Sequence, residues 1–206
     1  MGQEAICKIR LGRKVVEGKA LLESQEMIFR GTDLRLKIPF SDVTAVEAND
    51  GWLRLTYSDG TAAFELGSHA AKWAEKIRNP KSLIEKLGVK AGMRVSVLAI
   101  DDPGFRRDLA NRTDDVAENR VAKGSDLIFL GAEQDGTLAK LRELSRSLKP
   151  NGALWVVYPK GQKHITEGGV LAAGKRAGLV DVKVASFSPT HTALKFVIPV
   201  GRRQPA

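Results

Sequence analysis

Cysteine is almost absent from this sequence of 206 residues, since Cys7 is the only one. A single cysteine excludes an intramolecular disulfide and a zinc site built on cysteines. Long hydrophobic runs are also missing: a stretch such as 153–158 is far shorter than the roughly 20 apolar residues of a membrane-spanning helix. Residues 1–4 lack the basic region and apolar segment of a signal peptide. These absences lead us to expect a cytoplasmic protein with no transmembrane segment.

Catalytic and metal-binding motifs are scarce as well. The three histidines, His69, His164 and His191, lie in separate segments, and neither an HExxH pattern nor an acidic metal cluster occurs. No serine stands in the glycine-flanked strand–turn–helix pattern of a nucleophile elbow. The sequence therefore predicts no catalytic residue and no metal site.

The formal net charge of +9 is unevenly distributed along the chain. Residues 1–79 contain 12 Lys+Arg and 11 Asp+Glu, whereas residues 80–206 contain 21 and 13, so the net charges are +1 and +8. The basic residues of the second part are spread over several predicted elements, whereas a nucleic-acid site favours a stripe with interleaved aromatics. Binding of nucleic acid or another anion by this basic part is therefore an alternative function.

The first part of the chain alternates apolar and polar side chains with the two-residue period of half-buried strands. Asp-Gly pairs at 50–51 and 59–60 separate alternating runs and favour tight hairpins, because glycine adopts a positive φ. A helix follows, with Ser68 as its predicted N-cap and Trp73 on its apolar face. The predicted strands are 5–11, 15–22, 27–30, 34–38, 43–48, 52–57 and 62–66. We predict a small antiparallel β-barrel over residues 1–79.

Seven strands followed by one amphipathic helix resemble the pleckstrin-homology-like fold, including its bacterial GRAM-like members. The resemblance covers about residues 4–79 and implies that Trp73 fills the open end of the barrel. Some pleckstrin-homology domains hold phosphoinositides with basic residues around the first hairpin, where this sequence has Lys8, Arg10, Arg13 and Lys14. Because Lys8 and Arg10 alternate with apolar residues as on any exposed strand face, we favour a protein-contact surface over lipid binding.

A new organisation begins at Asn79-Pro80, where an asparagine N-cap and a proline in the first helical position predict the start of a helix. Strands then alternate with helices, which predicts a mainly parallel sheet with right-handed crossovers. The predicted strands are 95–100, 114–117, 126–131 and 153–158, with a closing hairpin of 180–187 and 192–200. The predicted helices are 104–112, 135–148 and 165–177. We predict two domains: the barrel, 1–79, and a reduced three-layer Rossmann-like α/β domain, 80–206.

Two segments resemble class I S-adenosylmethionine-dependent methyltransferases. Residues 87–100 (LGVKAGMRVSVLAI) are similar to the entry into the first strand of those enzymes, and residues 148–156 (LKPNGALWV) to the approach to a late strand. Residues 153–160, 178–184 and 193–197 are similar to an uncharacterised bacterial domain family without an established activity. The resemblance implies a methyltransferase-like fold over about residues 81–200.

The sequence departs from the methyltransferases around the cofactor. Gly104 is the only glycine in the loop after the first strand, where the family has two or three. The family's acidic residue at the end of the second strand, which holds the cofactor ribose, has only Asp114 and Asp115 as weak counterparts. We therefore expect no cofactor, with S-adenosylmethionine as the alternative.

Ligands of parallel sheets bind beyond the carboxyl ends of the strands, where neighbouring crossovers leave on opposite faces. The expected crevice lies between the strands 95–100 and 126–131, with 153–158 beyond them. Its carboxylates and single lysine favour a polar, cationic ligand over a pyrophosphate. For the Asp101-Asp102 pair itself we favour a role as the cap of the next helix over ligand binding. The predicted ligand-binding residues are Asp101, Asp102, Gly104, Gly131, Glu133 and Lys160.

The scarcity of catalytic motifs favours a non-catalytic binding or scaffolding protein with a protein partner or a second copy of the chain. A divergent S-adenosylmethionine-dependent methyltransferase with an unusual loop at 101–105 is the first alternative. Nucleic-acid or anion binding by residues 80–206 is the second. The sequence identifies neither the ligand nor the partner.

Overall fold

The computed structural model describes residues 3–203. The chain divides into two compact units, unit 1 (Met1–Lys81) and unit 2 (Ser82–Ala206). The predicted division into two domains, 1–79 and 80–206, stays a prediction. In the described part of the chain, no helix is long and apolar enough to cross a membrane.

Unit 1 contains one antiparallel sheet of seven strands followed by a helix. The strand order is β4-β3-β2-β1-β7-β6-β5, so β4 and β5 form the two edges. All seven strands lie where the apolar–polar alternation predicts them, because alternate side chains point into the core. The elements are β1 (Gln3–Leu11), β2 (Lys14–Leu22), β3 (Glu26–Gly31), β4 (Arg35–Pro39), β5 (Val43–Asn49), β6 (Trp52–Tyr57), β7 (Gly60–Glu65) and α1 (Ala70–Arg78).

The turn between β5 and β6 has the conformation that its sequence predicts. Asn49 pairs with Trp52 and leaves a two-residue loop in which Asp50 and Gly51 have φ values of 48° and 80°. Two consecutive positive φ angles are typical of the type I′ turn, whose twist matches that of antiparallel strands. The Asp-Gly pair therefore sets the register of this hairpin.

Trp73 belongs to the core of unit 1, where it is 1% exposed. It lies on the apolar face of α1 together with Ala70, Ala74 and Ile77. The prediction of Ser68 as the N-cap of this helix is wrong. A short 3-10 turn, Gly67–His69, precedes the helix, and the cap residue is His69, whose side chain makes no capping hydrogen bond.

Burial of Cys7 makes a testable difference to its reactivity. Burial raises the pKa of the Cys7 thiol from 9.0 to about 11, so the folded protein holds almost no thiolate at pH 8. We expect a water-soluble disulfide reagent to modify the unfolded chain rapidly at pH 8 and the folded chain much more slowly. Because the unfolded thiol ionises first, the stability should also fall as the pH rises from 9 to 11. Equal modification rates in the two states would contradict the burial.

Unit 2 contains a mixed sheet of six strands in the order β12-β13-β11-β10-β8-β9. The strands β9, β8, β10 and β11 are parallel, and β13 and β12 extend the sheet as an antiparallel hairpin. The strands are β8 (Val95–Leu98), β9 (Val116–Glu118), β10 (Ser125–Gly131), β11 (Leu148–Pro159), β12 (Val180–Ser186) and β13 (His191–Val197). The helices are α2 (Leu83–Leu87), α3 (Pro103–Ala110), α4 (Leu141–Ser145) and α5 (Glu167–Arg176).

Two helix predictions for unit 2 need correction. The helix expected to start at Asn79-Pro80 starts at Leu83, because Ser82 and Glu85 form a reciprocal capping box. Asn79 instead ends α1 and donates a hydrogen bond to Glu75. The helix expected over 135–148 is a 3-10 segment, Asp135–Lys140, followed by the short α4, consistent with the low helix propensity of its Asp-Gly-Thr start.

Apolar side chains cover both faces of the unit 2 sheet, as its continuous apolar strands predict. One core joins alternate residues of β10 and β11 to α4 and α5. The opposite core contains Trp155 of β11, together with α2, α3 and Phe187. The parallel strands are thus fixed on both sides, and their carboxyl ends meet at one edge of the sheet.

Candidate functional site

The candidate site is a cleft of about 570 Å³ at the carboxyl ends of β8, β10 and β11. After β8 the chain turns towards β9 on one side, whereas β10 lies on the other side of β8. The crossovers therefore diverge at this point, which is where open α/β sheets bind ligands. The cleft is lined by Ala99, Ile100, Asp101, Asp102, Gly131, Glu133, Val157, Phe187, Ser188, Pro189, Thr190 and His191.

The floor of the cleft is a close approach of two backbone segments. Ala99 follows β8 with a φ of 53°, a left-handed conformation that few non-glycine residues adopt. A Cβ built on Gly131 would overlap the Ala99 carbonyl oxygen, so only glycine fits at the end of β10. The strained turn at Ala99 and the missing side chain at Gly131 together shape the start of the cleft.

Asp102 is the N-cap of α3. Its Oδ1 accepts a hydrogen bond of 2.9 Å from the backbone N–H of Phe105, and Pro103 occupies the first turn. The preference for a capping role, stated on the sequence alone, is confirmed for Asp102. This helix start has little capacity for an anionic ligand, because a carboxylate already holds one N–H and proline supplies none.

Asp101 points into solvent, since its side chain is 94% exposed. Its Oδ1 lies 3.7 Å from Nη1 of Arg106, and Nη2 of the same arginine donates a hydrogen bond of 2.8 Å to the Ile100 carbonyl. An exposed ion pair of this length adds little to stability. The Asp101 carboxylate is therefore available to a ligand in the cleft.

Glu133 and His191 meet across the mouth of the cleft. Oε1 of Glu133 lies 3.1 Å from Nε2 of His191, and Oγ1 of Thr190 lies 2.9 Å from Nδ1 of the same ring. Ser188 holds the hairpin turn below them, because its Oγ accepts a hydrogen bond of 3.0 Å from the His191 N–H. The result is a carboxylate, an imidazole and a hydroxyl in one hydrogen-bonded line.

Lys160 and Gly104 are absent from the lining of the cleft, unlike the other four predicted ligand-binding residues. Nζ of Lys160 donates hydrogen bonds to the carbonyl oxygens of Ser188 and Pro189 at 2.7 and 3.3 Å, and to the Ser186 hydroxyl at 3.0 Å. Lys160 therefore holds the turn between β12 and β13 in place. Gly104 lies in the first turn of α3.

The sequence prediction missed the part of the cleft formed by residues 187–191. These residues connect β12 to β13, and β13 runs antiparallel to β11 with His191 opposite Pro159. The start of β13 therefore lies at the carboxyl end of β11. Phe187 forms an aromatic wall, with its ring centroid 5.1 Å from that of Phe105. The sequence predicted the closing hairpin but not its direction relative to β11, and this direction is what brings His191 to the cleft.

Glu118 lies at the same edge of the sheet as the cleft, although it is not one of the lining residues. It ends β9, where it pairs with Val97 of β8, so its carboxylate belongs to the carboxyl edge of the parallel strands. Asp114 and Asp115 precede β9 at the opposite end, where Asp115 binds Nε of Arg94 at 2.8 Å. Within residues 3–203, no group of His, Cys, Asp and Glu side chains has an arrangement that could hold a metal ion.

Comparison with known proteins gives similarity of structure but not of sequence. No family model and no curated protein matches the chain. A SAM-dependent methyltransferase from Aquifex aeolicus is 15% identical, with 61% of this chain and 93% of that one covered at a TM-score of 0.47. A SAM-dependent O-methyltransferase from Thermotoga maritima is 10% identical, with 88% and 95% covered at 0.46. The fibrillarin pre-rRNA processing protein of Methanococcus jannaschii is 12% identical, with 94% and 98% covered at 0.40.

The four parallel strands and the closing antiparallel hairpin of unit 2 form the α/β, Rossmann-like sheet that the sequence predicted. The expectation of a non-catalytic scaffold with no cofactor is corrected here: three of the solved structures similar to this chain are described as SAM-dependent methyltransferases. At these identities the similarity concerns the fold alone. The ligand has to be inferred from the chemistry of the cleft.

Proposed function

We propose that the cleft of unit 2 binds S-adenosylmethionine and that the protein is a divergent methyltransferase. The observation that carries this proposal is the charge of the cleft. Three carboxylates, Asp101, Asp102 and Glu133, line it together with His191, and no lysine or arginine of the described residues 3–203 does. Such a lining attracts a cation and repels a phosphate-bearing cofactor such as a dinucleotide.

The residues present fit the polar groups of S-adenosylmethionine. Asp101 and Glu133 suit its positive sulfonium and ammonium groups, because a carboxylate accepts charge-assisted hydrogen bonds and stabilises nearby positive charge. Glu118, at the end of β9, takes the place that the methyltransferase resemblance gives to the carboxylate that holds the ribose hydroxyls. The cofactor would supply a methyl group activated by the adjacent sulfonium.

The protein's own part in the transfer would be to bind, orient and accept a proton. Phe187 and Val157 give the cleft an apolar wall that excludes water from one side. His191 is held by Glu133 and Thr190, and it is the only imidazole in the lining of the cleft. With its Nε2–H donated to Glu133, the ring would accept at Nδ1, through the Thr190 hydroxyl, the proton that a hydroxyl or amine acceptor loses on methylation.

Titration calorimetry of the full chain tests the binding. We expect S-adenosylmethionine to bind and ATP, which carries the opposite charge on the same adenosine, not to bind. Glu133→Gln should weaken the affinity about tenfold, which corresponds to about 1.4 kcal/mol, because it removes a charge beside the ligand. Glu143→Gln is the matched control, since Glu143 is exposed on α4 and does not line the cleft.

Three outcomes would contradict the proposal in whole or in part. The absence of binding heat with millimolar S-adenosylmethionine would rule it out as the cofactor. An equal loss of affinity in Glu133→Gln and Glu143→Gln would rule out the cleft as the binding site. Binding without transfer of a labelled methyl group to protein, RNA or small-molecule fractions would leave a cofactor-binding protein rather than an enzyme.

We further propose that unit 1 has a pleckstrin-homology-like fold. The seven-stranded antiparallel order, the closing helix and the buried Trp73 support this assignment. The basic residues of the first hairpin do not favour a phosphoinositide site. Lys8 lies 3.5 Å from Glu17, and the Arg10 guanidinium lies 5.0 Å from the ring centroid of Trp52. A protein partner or a second copy of the chain stays a prediction, and sedimentation of the purified protein tests the second copy.

A further inference from the structure

A second charged cluster of unit 2 lies away from the cleft. Lys183 of β12 and Lys195 of β13 are register partners, and both lie on the face of the sheet that packs against α2. Nζ of Lys183 lies 2.6 Å from the backbone oxygen of Lys86 on α2. Nζ of Lys195 lies 5.8 Å from the ring centroid of Trp155. Lys183 and Lys195 thus lie side by side near the Trp155 ring, and Lys183 also reaches the end of α2, which carries Lys86.

The positive charges of Lys86, Lys183 and Lys195 repel one another. Burial lowers the pKa of Lys195, and the nearby Lys183 ammonium lowers it further. The same two causes, in the same order, lower the pKa of Lys86. Within residues 3–203, neither Lys183 nor Lys195 forms an ion pair with a carboxylate. An anion placed among these groups would relieve the repulsion.

A structural role explains only one of the three lysines. Lys183 and Trp155 both satisfy carbonyl groups at the C-terminal end of α2: Lys183 binds the Lys86 oxygen, and Nε1 of Trp155 donates a bond of 3.1 Å to the Leu87 oxygen. Lys195 has no such role, because it donates no hydrogen bond to any described residue. Its half-buried ammonium is held beside Lys183 without an acceptor.

We propose that Lys86, Lys183 and Lys195 form a binding site for a phosphate group. The site is separate from the cleft, since His191 and Lys195 are four residues apart along β13, about 13 Å at the rise of an extended strand. Its charge is opposite to that of the cleft lining, so the two sites take different ligands. The phosphate could belong to a small molecule or to a nucleic-acid backbone, because both present the same oxyanion.

The test uses pyrophosphate as the probe and the full chain as the receptor. Titration is followed by calorimetry and by the backbone amide signals of Lys183 and Lys195 in nitrogen-15 correlation spectra. We expect saturable binding that shifts both amide signals. Lys195→Met should weaken it at least tenfold, while Lys175→Met, which removes the same charge from the exposed surface of α5, should change it less than twofold. The melting temperature of each variant shows whether it is folded, and Lys86→Met replaces Lys195→Met if that variant unfolds.

A single-stranded oligonucleotide forms the second arm of the experiment. Stronger binding of the oligonucleotide than of pyrophosphate, still lost in Lys195→Met and falling steeply with salt, would place the phosphate in a nucleic acid. Stronger binding of pyrophosphate would place it in a small molecule. No saturable binding of either probe would overturn the site. Equal losses in Lys195→Met and Lys175→Met would also overturn it, because they would indicate diffuse attraction by the basic surface.

Discussion

Replacement of Trp155 by alanine is expected to lower the free energy of unfolding of unit 2 by about 3–5 kcal/mol. Trp155 is 0% exposed and lies in the core between the sheet, α2 and α3. Alanine would leave a large cavity in that core and would remove the donor to the Leu87 oxygen. Urea unfolding monitored by circular dichroism measures the loss.

Trp155→Phe separates the two contributions to this loss. Phenylalanine keeps most of the ring contacts but cannot donate to the Leu87 oxygen, so we expect a smaller loss of about 1–2 kcal/mol. The end of α2 should then become more exposed to hydrogen exchange than the rest of unit 2. A loss below about 1 kcal/mol for Trp155→Ala would mean that the residue is not part of the core.

Gly131→Ala is expected to destabilise unit 2 by about 3 kcal/mol and to abolish ligand binding in the cleft. The added methyl group would overlap the Ala99 carbonyl, and backbone atoms cannot move aside as a flexible side chain can. Relief would require the turn after β8 to shift, and this turn already contains the strained Ala99. The turn carries Asp101, so its displacement also moves a proposed ligand-binding carboxylate.

Gly136→Ala is the matched control for this substitution. Gly136 lies in the 3-10 segment after β10, and a Cβ built there meets no atom within 4 Å. We expect its stability to change by less than about 1 kcal/mol and ligand binding to stay intact. Equal stability of Gly131→Ala and Gly136→Ala in thermal unfolding would contradict the close approach of β8 and β10.

The charges of unit 2 separate its two proposed sites. Unit 2, residues 82–206, contains 20 Lys+Arg and 13 Asp+Glu, a net charge of +7, yet among the described residues three carboxylates and no lysine or arginine line the cleft. Net charge alone favours an anionic ligand for the whole unit. The folded chain instead brings acidic residues to the strand ends and places Lys183 and Lys195 on β12 and β13, so each surface selects its ligand by its local field.

The sequence by itself determined where the strands lie and which of their side chains are buried. Alternation located all seven strands of unit 1, and continuous apolar runs located β8, β10 and β11. Local chemistry was sufficient there, because strand periodicity and an Asp-Gly turn depend on neighbouring residues. The sequence also placed Asp101, Asp102, Gly131 and Glu133 at the strand ends where the cleft is found.

The sequence predicted the helix ends less well than the strands, because more than one residue near a helix start can serve as its N-cap. Asn79 and Ser82 are both good N-cap residues. Ser82 is the N-cap of α2, because its partner Glu85 completes a capping box. The helix predicted over 135–148 failed for a related reason. Its apolar spacing fits a helix, but its Asp-Gly-Thr start has a low helix propensity and forms a 3-10 segment. At the other end, Leu148 is already the first residue of β11.

Only the tertiary structure decided which residues complete the cleft and what each charged group does there. Lys160 does not line the cleft, because its ammonium group donates hydrogen bonds to the carbonyl oxygens of Ser188 and Pro189 in the turn of the last hairpin. His191 lines the cleft because β13 runs antiparallel to β11. This direction brings Nε2 of His191 within 3.1 Å of Oε1 of Glu133, although the two residues are 58 positions apart in sequence. Such contacts depend on strand order and direction, which no local sequence pattern encodes.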